Sequence, residues 1–174
     1  MQRGALLWLP NLVSLSRLAL AAAFVLASGI TVRVTLIVAA GATDFLDGWI
    51  ARRHNLSSRP GAVIDPVADR VFVFIVIVTY VVAGALSTMQ AIALLLRDIA
   101  TSVAWLLSRR LDWLGRVEYR ARRAGKVVTV FQMATLLVVL LAPRLVNAFV
   151  LVVAALSAWA IADYAALLWR AKLR

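Results

Sequence analysis

Residues 44–69 read DFLDGWIARRHNLSSRPGAVIDPVAD, and four of the eight acidic residues in the chain, Asp44, Asp47, Asp65 and Asp69, fall within them. Apolar runs flank the segment on both sides. Asp44 and Asp47 are three apart and Asp65 and Asp69 four apart, so on helices the members of each pair share a face. The stretch Ser57-Ser58-Arg59-Pro60-Gly61 breaks the chain between the pairs. A loop from about 54 to 62 is short, which predicts two antiparallel neighbouring helices and brings four carboxylates into one small volume.

Working outward, the remaining chain reads as more apolar spans. Of the 174 residues, 64% are hydrophobic, well above the roughly 45–50% of a soluble domain. That much apolar surface needs lipid to cover part of it. A spanning helix takes about 20 mostly apolar residues. Six such stretches are expected, near 11–29, 33–53, 63–84, 87–110, 125–142 and 146–169. Pro10, Gly84 and Pro143 punctuate them. The run LALAAAFVLAS after Arg17 has the look of a signal-peptide core. Cleavage there would strand the new N-terminus outside and spoil the charge pattern, so it is read as the first span. Residues 1–9, with Arg3 and Trp8, are expected to lie along the interface. The expected fold is therefore all-α, a six-transmembrane-helix bundle with a short N-terminal interfacial segment, forming one domain over 1–174.

The basic residues orient it. Fourteen of the 19 lysines and arginines fall on the side that holds both termini and the loops near 56 and 116, whereas only Arg33 and Arg144 fall on the other. Arg17, Arg70 and Arg97 lie within spans. Such a bias marks the cytoplasmic side, and Trp8, Trp49, Trp113 and Trp169 fall near it. The net charge of +11 points to anionic headgroups and phosphate substrates. Nucleic acid is not expected as a partner, because the charges alternate with apolar spans. With no cysteine, a disulfide framework, a thiolate metal site and a cysteine nucleophile are excluded.

Four converging carboxylates repel one another strongly unless some are protonated or cations sit among them. Hard oxygen ligands without Cys or a His pair suit Mg²⁺ or Mn²⁺ rather than zinc, and a carboxylate-bridged metal pair suits phosphoryl transfer. Gly48 and Ala51 follow Asp44 at i+4 and i+7 and leave room for a ligand or a helix. Arg52 can reach a diphosphate. Two other readings of the site are a non-enzymatic divalent-cation transporter and a set of helix-end aspartates without chemistry. Against transport, the four lie near one membrane face rather than the midplane.

The same residues spell D-x-x-D-G-x-x-A-R, eight residues, then G-x-x-x-D-x-x-x-D, as Asp44, Asp47, Gly48, Ala51, Arg52, Gly61, Asp65 and Asp69. The chain thereby resembles the CDP-alcohol phosphatidyltransferases along nearly its whole length. The resemblance implies that Asp44, Asp47 and Asp65 hold metal, two ions per site. It implies that Asp69 contacts metal and is the general base. It assigns Gly48, Ala51, Arg52 and Gly61, with Asn11, to the CDP part of a CDP-diacylglycerol donor. A homodimer is expected on the same ground, and the expected location is a bacterial cytoplasmic membrane, with the active site on the inner side by the charge bias.

Pro10-Asn11-Leu-Val-Ser14-Leu-Ser-Arg17 resembles the P-N-x-x-T-x-x-R opening of phosphatidylglycerophosphate synthases and the related cardiolipin synthases, with Ser14 in place of Thr. Arg97-Asp98 and Gly125-Lys126-Val-Val-Thr129-Val-Phe-Gln132 resemble further features of that branch. The leading expectation is transfer of a phosphatidyl group to glycerol 3-phosphate; the alternative acceptor is phosphatidylglycerol. An unpaired cation within a span is costly, so Arg97 and Lys126 are the expected contacts of an acceptor phosphate, with Arg110 and Arg123 behind them. Most of the arginines at 109–126 read as a lipid anchor. His54 reads as a solvated loop residue, and Asp163 as a partner for an arginine such as Arg17.

Overall fold

The computed structural model describes the backbone of residues 9–54, 61–108 and 123–172, and side chains within 16–43, 70–103, 125–163 and 165–166. The described residues form six α-helices and no strand: α1 (Leu9–Leu26), α2 (Ile30–His54), α3 (Gly61–Val82), α4 (Thr88–Ser108), α5 (Arg123–Leu141) and α6 (Val146–Lys172). A 3-10 turn, Pro143–Leu145, leads into α6. Each helix falls on one of the six apolar stretches. The interfacial segment and the basic stretch 109–122 lie outside the described residues.

The breakers act as their chemistry requires. Pro10 sits in the first turn of α1, where its missing N–H leaves no bond unmade. Gly84 has φ +72, and its N–H donates to the Val81 carbonyl while that of Ala85 donates to Tyr80. This left-handed closure ends α3 and is open to glycine at little cost. Ser87 and Gln90 then start α4 reciprocally. The Gln90 N–H donates to Ser87 Oγ, and the Ser87 N–H donates to Gln90 Oε1 at 2.7 Å.

The chain divides into two compact units, Met1–Ala85 and Leu86–Arg174. In the first, α1 packs on α3 and on α2. Arg17, Ala21 and Phe24 form the buried stripe of α1, against Phe72, Val73, Val76, Ile77 and Tyr80 on α3. Both sets follow helical spacing. Phe24 meets Tyr80 edge to face, with centroids 5.6 Å apart. The Arg33 guanidinium covers the Phe24 ring at 5.2 Å, and its Nε donates to the Ala27 carbonyl just beyond α1.

In the second unit, α6 packs on both α4 and α5. Its buried positions, Val146, Val150, Val153, Ser157 and Ala160, recur at i+4 and i+3, the spacing of a narrow packing seam. On α5 the buried stripe is Gly125, Val128, Gln132, Thr135, Leu136 and Val139. At the start of the unit, Gln90 Nε2 donates to Asn147 Oδ1 at 2.6 Å and ties α4 to α6.

Outward faces are apolar rather than polar. Phe74, Val78, Val82, Val130, Leu151 and Trp159 are all exposed, where a surface helix in water carries charged residues. Among the described residues one stretch, Pro143–Asp163, is long and apolar enough to cross a membrane; Ser16–Leu26, Ile30–Thr43, Arg70–Val82 and Gly125–Leu141 are shorter apolar helical stretches.

Candidate functional site

The four aspartates lie where the spacing argument requires regular helix. Asp44 and Asp47 fall in the last three turns of α2, with Gly48, Ala51 and Arg52, and His54 is its final residue. Gly61 is the first residue of α3, and Asp65 and Asp69 follow within its first three turns. With helix on both sides of the break, each pair shares a face. The donor set remains all-oxygen and hard, which fits Mg²⁺ or Mn²⁺. The side chains of these residues, and of Asn11 in the first turn of α1, lie outside the described residues.

The second candidate cluster is described in atomic detail, and all of it belongs to the Leu86–Arg174 unit. Arg97 lies midway along α4, with its side chain only 16% exposed. Its Nη1 donates to Thr129 Oγ1 on α5 at 2.9 Å. The Thr129 hydroxyl donates in turn to the Gly125 carbonyl at 3.1 Å. Both roles of that hydroxyl are therefore used, and its orientation is fixed. Nη1 also lies 3.4 Å from Asp98 Oδ1. Adjacent helical residues do not face each other, and the contact is correspondingly long.

Asp98 has a better partner. Gln132 is 2% exposed, and its Nε2 donates to Asp98 Oδ2 at 2.9 Å and to the Leu94 carbonyl at 3.0 Å. Asp98 is thus more than a counter-ion for its neighbour: it joins α4 to α5. Gly125 completes the cluster by having no side chain. A Cβ there would stand 3.0 Å from Arg97 Nη2, closer than the guanidinium tolerates without moving.

The hydrogen bonds described for the Arg97 guanidinium all fall on Nη1, and its buried Nε has no partner among the described residues. Nε and Nη2 form the side-on fork that matches two oxygens of a phosphate or carboxylate. Nη1 is held by Thr129, and the Nε and Nη2 side lies against Gly125, where Nε is buried.

Residues 7–162 match the sequence family described as CDP-alcohol phosphatidyltransferase. The chain belongs to that family. It is 34% identical to an Arabidopsis thaliana CDP-diacylglycerol--glycerol-3-phosphate 3-phosphatidyltransferase, chloroplastic/mitochondrial, over 97% of this chain and 65% of that one, just under two thirds of the relative's length. A Shigella flexneri protein of the same activity name is 32% identical over 90% of this chain and 92% of its own. A Mycobacterium tuberculosis putative cardiolipin synthase is 36% identical over 64% of this chain and 56% of that protein. Membership of a transferase family replaces the cation-transporter reading of the aspartates.

Of the expected acceptor contacts, the structure gathers Arg97 into a built cluster, whereas Lys126 stands on the exposed side of α5. Arg123 is the first residue of α5; its side chain, and the whole of Arg110, lie outside the described residues. Asp163 is half-buried on α6. Thr129 and Gln132 carried no assigned role in the sequence. The signal was present in their spacing, because 125, 129 and 132 follow at i+4 and i+7 along one face of an otherwise apolar helix.

Proposed function

We propose that the protein transfers the phosphatidyl group of CDP-diacylglycerol to glycerol 3-phosphate, releasing CMP. The observation that carries the acceptor is the Arg97 guanidinium, a largely buried cation within α4 whose Nη1 is held by Thr129 and whose Nε has no hydrogen-bond partner among the described residues. A phosphomonoester uses such a cation, and a neutral alcohol does not. Relatives that bear this activity name match along 90–97% of the chain and support the same reading.

In the reaction the acceptor hydroxyl oxygen bonds to the phosphorus that carries diacylglycerol. The bond from that phosphorus to the CMP oxygen breaks, and CMP leaves with both electrons of that bond. Asp69 takes the hydroxyl proton, since an alcohol is a poor nucleophile until a base accepts that proton. Asp44, Asp47 and Asp65, with Asp69, are the residues that would hold Mg²⁺ or Mn²⁺, whose charge stabilises the developing charge on phosphate oxygens when bound. Gly48, Ala51, Arg52 and Gly61, with Asn11, are the residues that would bind the CDP part of the donor. Arg97 draws the acceptor phosphate, with Lys126, Arg110 and Arg123 as the further cations proposed for it.

A second reading, transfer to phosphatidylglycerol to give cardiolipin, is favoured by the mycobacterial relative. CMP release by the purified protein, measured with each acceptor in turn, separates the two. Glycerol 3-phosphate is expected to support release and phosphatidylglycerol alone is not. Arg97→Ala is expected to raise KM for glycerol 3-phosphate by about 100-fold, as loss of a charged contact in a largely buried site implies. Release with phosphatidylglycerol only would establish the second reading.

We read all six helices as membrane-spanning, from their exposed apolar faces and the fourteen-to-two charge bias. Both termini and the loops near 56 and 116 then face the cytoplasm, with the aspartates at that side. The absence of native cysteine makes the test direct. Single cysteines at 31 and 144 are expected to react with an impermeant thiol reagent on intact cells, and those at 56 and 116 only after lysis. Labelling at 56 or 116 from outside would overturn the orientation.

A further inference from the structure

Arg97 can turn about several bonds, yet a fork that must meet two phosphate oxygens works only in one orientation. Three features of α5 restrict it. The Thr129 hydroxyl accepts from Nη1 at 2.9 Å and is itself locked by its donation to the Gly125 carbonyl. Gly125 offers a bare backbone surface to the Nη2 side, where a methyl group would lie 3.0 Å away. Gln132, through its bond to Asp98 Oδ2, keeps that carboxylate against α5 and 3.4 Å from Nη1. Thr129 and Asp98 act on the Nη1 side, and Gly125 lies against the Nη2 and Nε side.

We infer that Thr129 and Gly125 are positioning residues for the acceptor subsite. They hold the Arg97 guanidinium in one orientation for the phosphate of the acceptor, and so set the preference for a phosphorylated acceptor. Gln132 and Asp98 support them from the other side. The inference rests on the reading of Arg97 as the acceptor-phosphate contact. Thr129 does not touch the acceptor in this scheme: its effect on substrate passes entirely through Arg97. That distinguishes it from a second ligand and from a residue that merely packs α4 against α5.

The test uses the full-length protein in CDP-diacylglycerol vesicles, with glycerol 3-phosphate as the varied substrate and CMP release as the readout. Thr129→Val keeps the shape and removes the hydroxyl. It is expected to raise the glycerol 3-phosphate KM by roughly tenfold, the worth of a hydrogen bond to a charged group. The kcat and the donor KM are expected to stay within about twofold, because a ground-state contact is lost and no transition-state contact is. Thr129→Ser returns the hydroxyl and is expected to restore the wild-type KM. Gly125→Ala, which crowds the guanidinium without touching Thr129, is expected to raise the same KM. In an Arg97→Ala background, Thr129→Val is expected to add nothing, since the two act as a unit.

If Arg97→Ala raises the acceptor KM while Thr129→Val and Gly125→Ala do not, the positioning role is wrong and the acceptor reading stands. If Arg97→Ala itself leaves that KM unchanged, the acceptor reading fails and the inference goes with it. If Thr129→Val lowers kcat and raises the donor KM alongside the acceptor KM, its role is general packing, and the inference is overturned.

Discussion

Replacing Asp69 by asparagine is expected to lower kcat by about 10²–10⁴-fold, the range for a lost general base, while CDP-diacylglycerol still binds. Asparagine preserves the size and one oxygen of the aspartate but accepts no proton at neutral pH. Asp69 lies one helical turn beyond Asp65 on α3, so the two stand on one face, and the proposed reaction gives Asp69 the acceptor's proton. The comparison that isolates the role is Asp44→Asn, which is expected to weaken donor and metal binding together. Turnover and equilibrium donor binding are measured on both variants. Normal turnover by Asp69→Asn would remove the base assignment, and equal loss of donor binding in both variants would make Asp69 a ligand only.

Removing divalent cations is expected to abolish transfer, and adding back Mg²⁺ or Mn²⁺ to restore it. The four carboxylates offer only hard oxygen donors, and in the proposed site a cation would offset their mutual repulsion. Binding gives a readout independent of turnover. Mn²⁺ titrated into the stripped protein is expected to bind, and Asp44→Asn, Asp47→Asn or Asp65→Asn to weaken that binding by tenfold or more, as loss of a metal-site group implies. Full turnover after thorough stripping, in excess chelator, would rule out the metal site. Unchanged Mn²⁺ binding in all three variants would move it elsewhere in the chain.

The two expectations concern the aspartates on α2 and α3, and the proposed acceptor subsite concerns α4 and α5. These differ in how far the sequence could reach. The aspartate motif is local: every specified residue lies between 44 and 69, and its meaning depends only on both flanks being helical. The helices α2 and α3 supply that condition. Likewise the ends of the six helices followed from residues whose backbone preference acts in place. Pro10 admits a first turn and Gly84 a left-handed close, and Ser87 with Gln90 caps the start of α4.

Apolar length and the side-by-side bias of lysine and arginine were thus determined by the sequence alone, as were the six helices and the motif that marks the family. Each is a property of a short segment or of composition along it. The pairing of Arg97 with Thr129 was decided only by tertiary structure. The two are 32 residues apart, and their meeting depends on how α4 and α5 are rotated about their own axes. Hydrophobic periodicity shows which face of a helix turns inward, but not which residue of a neighbour it meets there. The sequence marked Arg97 as a cation that needs a partner and Gly125 as a residue of a motif. That Gly125 is the floor under the guanidinium, and that Asp98 bonds Gln132 as well as the adjacent arginine, follow from how the side chains of α4 and α5 meet and from the 3.0 Å that separates Nη2 from where a side chain would begin.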